Sequence, residues 1–206
     1  FKDSIRLYDS LNMPVQEWQV RWDANTMAQL IQPYIQWKYK INDQWTFNAG
    51  IHSMYYSLTN SMSLLEPRAG LQWDNKKGAM MSIGMGRHSQ TQAPYVYFYA
   101  PEGNVKEPVN RKLGLTKSDH YVMSFNKAIG RDARVKLESY YQYLYDVPVE
   151  TALNSFSLLN SGSGFSRIFA NELTNRGDAS NIGVEATIEK FFVERFFFMV
   201  TASLYD

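Results

Sequence analysis

Three histidines, His52, His88 and His120, are the residues with the most chemical reach in this sequence. Neutral imidazole ligates transition metals, so such a set could hold a metal-bearing substrate. The three share the parity of the polar positions around them, but they sit far apart in the chain with no short spacing. That pattern reads as ordinary residues of a polar face. Glu66 and Arg68, two apart on the same face, could pair with each other or meet a ligand, although cross-strand pairing and general wall electrostatics explain them as well. Glu185 and Glu189 read as further carboxylates of that face. The run Tyr95-Val96-Tyr97-Phe98-Tyr99 is the strongest candidate for binding. Tyr95, Tyr97, Phe98 and Tyr99 offer rings that stack on a sugar, peptide or chelate at low entropic cost. Packing between loops, or a strand prolonged beyond its neighbours, is the alternative. No nucleophile–base set, phosphate-binding glycine loop or metal-ligand spacing occurs, and the sequence gives no support for an enzyme or a bound cofactor.

These residues must be positioned by strands. Between Met27 and Ile41, the odd positions read Met27, Gln29, Ile31, Pro33, Ile35, Trp37, Tyr39 and Ile41, while the even ones include Gln32, Gln36, Lys38 and Lys40. Asn42-Asp43 supplies a tight turn, and alternation resumes through Trp45, Phe47, Ala49, Ile51 and Tyr55. The same period of two returns at Leu65–Trp73, Met81–Gly86, Tyr121–Asn126, Val135–Tyr145, Ile182–Glu189 and Phe196–Leu204, giving eight strands. Apolar residues are odd-numbered through Tyr145 and even-numbered from Ile182. No segment holds a helical period.

The connections alternate in length. Turns near Asn42, Lys76, Arg131 and Glu194 are short, whereas loops at about 92–118 and 147–181 are long and the link at Thr59–Ser61 is brief. Short turns at one end and long loops at the other characterise transmembrane barrels, with the long loops extracellular. Trp37, Tyr39, Trp45 and Trp73 lie beside the short turns, as an interfacial girdle would. Tyr55, Tyr141, Tyr143 and Tyr145 lie toward the opposite ends.

Composition agrees. Across 206 residues, 15% are aromatic, yet mean hydropathy is only −0.38. Alternation reconciles the two numbers. No window approaches the ~18 apolar residues of a membrane helix, which bears only on helices. With 21 Lys and Arg against 20 Asp and Glu, the net charge is +1, and nothing favours nucleic acid. The absence of cysteine removes disulfides and thiolate chemistry.

The expected fold is therefore all-β: an antiparallel transmembrane β-barrel wall of about eight strands. The chain opens at Phe1 without a leader and stops at Asp206 at a strand end, and its first 26 residues read as the tail of a loop. Its polar face carries several Gly and Ser rather than the dense filling of an eight-stranded interior. Residues 1–206 thus read as a partial barrel domain.

Certain runs bear a family resemblance. SLLEPRAGLQW (Ser63–Trp73), KLESYYQYLYDVPVE (Lys136–Glu150), and NRGDASNIGVEATIEKFF (Asn175–Phe192) followed by FFFMVTASLYD resemble barrel strands of TonB-dependent receptors, most closely of the Bacteroidetes type. The resemblance spans most of residues 27–206. It implies a barrel of roughly 22 strands, of which this chain supplies about a third, without plug domain or TonB box. It also implies a bacterial outer-membrane location and energised uptake of a scarce ligand. The implied partners are the rest of the receptor, the TonB system acting through the plug, and outer-membrane lipid, with room for a surface lipoprotein. A passive porin-like or structural barrel, and a soluble carbohydrate-binding β-domain, are the alternatives.

Overall fold

The computed structural model describes residues 2–206 apart from Leu7, Val15, Gln16, 101–105, Leu153, Ser155, 162–170 and Glu194. Its main sheet is antiparallel throughout. The strands are β3 (Leu30–Ile31), β4 (Tyr34–Lys40), β5 (Trp45–Tyr56), β6 (Ser61–Asp74), β7 (Ala79–Gln90), β8 (Thr116–Ile129), β9 (Ala133–Glu150), β10 (Leu173–Val193) and β11 (Phe196–Tyr205). Each pairs with its sequence neighbour from β11 back to β5, which receives both β3 and β4. All eight expected strands are present. The first is cut in two, because Pro33 has no N–H to donate to a ladder. Its carbonyl still accepts from Ser53 N–H at 3.0 Å.

The turns follow their sequence chemistry. Asn42 Oδ1 accepts the N–H groups of Gln44 and Trp45, both at 2.9 Å. Ile41 N–H closes on Trp45 O at 3.0 Å, so Asn42, Asp43 and Gln44, rather than two residues, make the turn. Asn75 Oδ1 does the same work for Lys77 and Ala79, while Lys76 and Gly78 take the positive φ that the reversal requires. Between β8 and β9, Gly130 has a φ of 65°, and Asp132 receives Lys190 from the neighbouring strand. That hydrogen bond holds the Asp132 carboxyl below its ordinary pKa. Of the expected turn at Val193–Arg195, Glu194 lies outside the described residues, and Val193 pairs with Phe196 across it.

Register converts alternation into rows that cross the sheet. One row joins Phe47, Leu71, Ile83, Met123, Ser139, Val184 and Leu204. The adjacent row on the same face joins Ala69, Met85, Tyr121, Tyr141 and Ile182. The parity change between Tyr145 and Ile182 is therefore real, and it keeps one face continuously apolar. Trp45 faces Trp73 at 6.4 Å between rings, and Trp37 stacks on Tyr39 at 5.4 Å, all beside the short turns. Toward the other end Tyr121 stacks on Tyr141 and Tyr143 on Tyr145. From Leu137, in the Trp45–Trp73 row, to Tyr145 the strand runs about 26 Å at ~3.3 Å per residue. That matches a ~25 Å apolar band before strand tilt. Arg87 and Asp119, joined at 2.8 and 3.0 Å, sit in the row of Tyr143, so the purely apolar part of this face ends just short of Tyr145.

Three sequence expectations need correction. The loops are shorter than their patterns suggest, since 116–118, 147–150 and 173–181 are strand. β10 has 21 residues, roughly 70 Å at ~3.3 Å each, far more than a membrane needs. Its upper part carries Asn175, Gly177, Asp178 and Asn181, which break the alternation, and register shifts at Gly177 mark the change. Second, a bulge at Leu64–Leu65 reverses parity within β6, so that Met62 and Tyr55 pair on the apolar face. Third, residues 2–23 are not a plain loop tail. β1 (Lys2–Ile5) and β2 (Gln19–Asp23) form a separate two-stranded sheet that buries Trp22.

Candidate functional site

The polar face gathers the sequence candidates. His52 pairs with Glu66 and Tyr34 across β4–β6, and the next row joins Gln36, Gly50, Arg68, Gly86, His120, Gln142 and Asn181. All three histidines lie on this face. They form a run across the sheet, in which His88 lies within electrostatic reach of His52, Glu66, Arg68 and His120. His52 Nδ1 is 2.7 Å from Glu66 Oε2, and Glu66 is only 1% exposed. His88 and His120 meet edge-to-face at 4.9 Å. The Gln142 amide nitrogen lies 2.8 Å from His120 Nε2 and 2.9 Å from Ser118 Oγ, and its oxygen accepts from Asn181 at 3.2 Å. Among the described residues no group of three or more His, Asp or Glu is placed to hold a metal ion.

Glu66 and Arg68 do not pair with each other. Glu66 turns to His52, and among the described residues Arg68 makes no hydrogen bond or ion pair. Glu185 accepts from Ser203 Oγ at 3.2 Å and lies opposite Glu138, which Lys136 neutralises at 2.5 Å. Glu189 pairs with Arg134 at 2.7 Å. These carboxylates serve the wall.

The aromatic run forms a cap at the long-loop end. Pro94 opens a one-turn helix, α1 (Pro94–Tyr97), which breaks the strand-like alternation of the sequence. Val96 and Tyr97 turn inward against Met54 and Tyr56 of β5, Leu113, Leu115 and Leu173. Tyr97 is wholly buried, its ring 5.8 Å from that of Tyr56. Its hydroxyl accepts the Gln92 N–H at 2.9 Å, and burial pushes its pKa up to about 12. Tyr95, Phe98 and Tyr99 are half-buried. Tyr95 meets Trp22 of the small sheet at 6.1 Å, and Arg111 covers Phe98 at 4.6 Å. Asn110 Oδ1 accepts Leu173 N–H, and Asn175 Oδ1 accepts Gly114 N–H, both at 2.8 Å, tying the loop to β10. Of the four aromatic candidates, Tyr97 is a packing residue in this arrangement, while the other three form the cap's outer layer.

Sequence reading missed a cavity of about 620 Å³ on the polar side of β4, β5 and β6, whose lining also includes Ile35, Ala49, Ile51 and Ala69. Tyr34, Gln36, Asn48, His52 and Arg68 line it over the backbone of Gly50 and Gly70. Only cross-strand register brings these residues together. The apolar face holds a separate depression of about 580 Å³, between the Phe47–Val184 and Ala69–Ile182 rows, walled almost entirely by hydrocarbon.

No protein-family model matches this chain, and no curated protein matches its sequence. Among solved structures it resembles the crystal structure of the outer membrane transporter YddB from Escherichia coli. The TM-score is 0.63 at 10% identity, over 99% of this chain and 28% of that one. The likeness is one of fold. The chain's antiparallel sheet matches part of an outer-membrane transporter barrel, and it spans about 28% of that transporter's length.

Proposed function

We propose that this chain is part of the barrel of a TonB-dependent receptor that takes up a scarce ligand across a bacterial outer membrane. One observation carries the reading: the same long strands present a continuous apolar face bounded by aromatic residues and a polar face of His, Gln, Asn, Glu and Arg, with a folded cap at one end only. Lipid suits the first face and a watered interior the second. The two sheet edges, β11 and β3–β4, do not pair with each other. In lipid their unpaired N–H and C=O groups would each cost several kcal/mol, roughly, so further strands complete the barrel. On this reading the chain catalyses no reaction. Its partners are the remaining strands, a plug that couples to the TonB system, surrounding lipid, and a surface lipoprotein at the cap.

A polar interior would also serve a passive or structural barrel, the second reading. Planar-bilayer recordings of the complete protein separate them. A plugged receptor stays closed and opens only when urea extracts the plug. A steady open channel from the outset would defeat the receptor reading.

A further inference from the structure

We propose that the polar-face cavity between β4, β5 and β6 binds an anionic group, a carboxylate or phosphate, of the ligand taken up, with the guanidinium of Arg68 as its charge partner. The proposal rests on the receptor reading and adds the chemistry of what that receptor carries.

Arg68 is the basis. A guanidinium offers five donors in a planar fork that matches both oxyanions. Two other wall arginines use theirs, Arg87 forking onto Asp119 and Arg134 pairing with Glu189, while Arg176 at the loop end of β10 has no partner among the described residues. Arg68 has no such partner among the described residues, although Glu66 sits two positions away on the same face. The wall withholds that carboxylate, because Glu66 is buried against His52 at 2.7 Å. Among the described residues, an exposed cation thus stands without an anionic partner beside a cavity.

The surroundings fit an occupant. Gly86 lies across the ladder from Arg68, and a Cβ there would stand 3.2 Å from Arg68 Cγ. A glycine therefore leaves room for the arginine stem. Gly50 and Gly70 floor the cavity, and the amides of Gln36 and Asn48 and the Tyr34 hydroxyl supply donors around it. A volume of about 620 Å³ is in the range of sites for small organic molecules. With apolar as well as polar lining, the cavity thus suits an organic anion better than a bare ion. The apolar-face depression has no comparable charge, and His52 and His120 already have Glu66 and Gln142 as partners.

The test is calorimetric titration of the complete receptor in detergent with citrate and, separately, with inorganic phosphate. Wild type should bind at least one saturably, and which one distinguishes a carboxylate from a phosphate ligand. Arg68→Gln should weaken binding by roughly ten- to a hundredfold, the loss expected for charged hydrogen bonds. Arg68→Lys should keep part of it, having charge without the fork. Heat-modifiable migration should be unchanged in both, since among the described residues Arg68 makes no hydrogen bond or ion pair. If a variant fails to fold, citrate should still protect wild-type Arg68 from phenylglyoxal. Failure of wild type to bind either anion, or equal binding by Arg68→Gln, overturns the proposal. So does an effect of Arg68→Gln on urea extraction of the plug alone, which would assign the guanidinium to the receptor's own plug. Uptake that persists without anion binding counts against this site only. Anion binding in a protein that shows no energised uptake counts against the receptor reading only.

Discussion

The wall and the cap bury their apolar residues in opposite directions. In the cap, Met54, Tyr56, Val96, Tyr97, Leu113, Leu115 and Leu173 turn toward one another, as in a water-soluble domain. In the wall, Ile83, Met85, Met123, Ile182 and Val184 point away from the chain and stay about half exposed. Of the fully buried apolar residues, nearly all lie at the cap end, and Ala79 is the exception beside a short turn. On the proposed reading, one chain answers two solvents. Where water surrounds it, the hydrophobic effect folds it onto itself. Where hydrocarbon surrounds it, backbone ladders hold the sheet, and apolar side chains need no protein neighbour.

The largest expected effect lies in the cap. Tyr97→Ala removes a fully buried ring and should loosen the cap by about 3–5 kcal/mol, as for other large aromatics. Hydrogen exchange should rise at Val96, Leu113 and Leu115 but not along β7 or β8. Equal exchange in both regions would make cap and wall one cooperative unit and erase the contrast.

The next effect is in the wall. Ile83 on β7, in the row of Phe47 and Met123, is 56% exposed, which in water would make its replacement harmless. Against lipid, Ile83→Arg should cost roughly 2–4 kcal/mol near mid-membrane. Urea titration of the complete barrel in lipid vesicles reads this, and an unchanged midpoint would show that the face meets water.

A smaller effect concerns protonation. The buried Tyr97 phenol holds its proton up to about pH 12, above the ordinary 10.0 of an unfolded tyrosine. Its contribution to cap stability is therefore complete below pH 10.0 and is lost as pH rises through about 12. Following tyrosinate absorbance, Tyr97→Phe should delete one late-ionising residue. Ionisation of all tyrosines together near pH 10.0 would place Tyr97 in solvent.

How much of this was legible depended on which solvent the residues met. Alternation from Trp45 to Tyr55 and from Val135 to Tyr145 reports a two-faced strand directly, because each neighbouring residue sees the other environment. Beyond the band that contrast lapses. Asn175, Gly177 and Asp178 therefore read as loop although they are strand. Pro33 carried its signal openly, since proline cannot donate to a ladder, whereas the Leu64–Leu65 bulge leaves no mark in composition. The tyrosines of 95–99 alternate like a strand, yet Pro94 starts a helical turn that buries Tyr97 and leaves Tyr95 and Phe98 half exposed. The polar-face placement of His52, His88, His120, Glu66 and Arg68 followed from parity alone. Their partners did not, since His52–Glu66 and His88–His120 depend on register between strands.

Six consecutive residues of β8, Tyr121 to Asn126, test the central claim most directly. The chain contains no cysteine, so single cysteines placed one at a time carry a nitroxide label without background. In the complete barrel reconstituted in lipid, positions 121, 123 and 125 should relax with lipid-soluble oxygen. Positions 122, 124 and 126 should respond instead to a water-soluble nickel chelate or be sterically shielded from both. A period of two in oxygen accessibility is the result this account predicts. Uniform access of the nickel chelate to both sets would contradict it, because the apolar face would then lie in water and the sheet would not be a membrane wall.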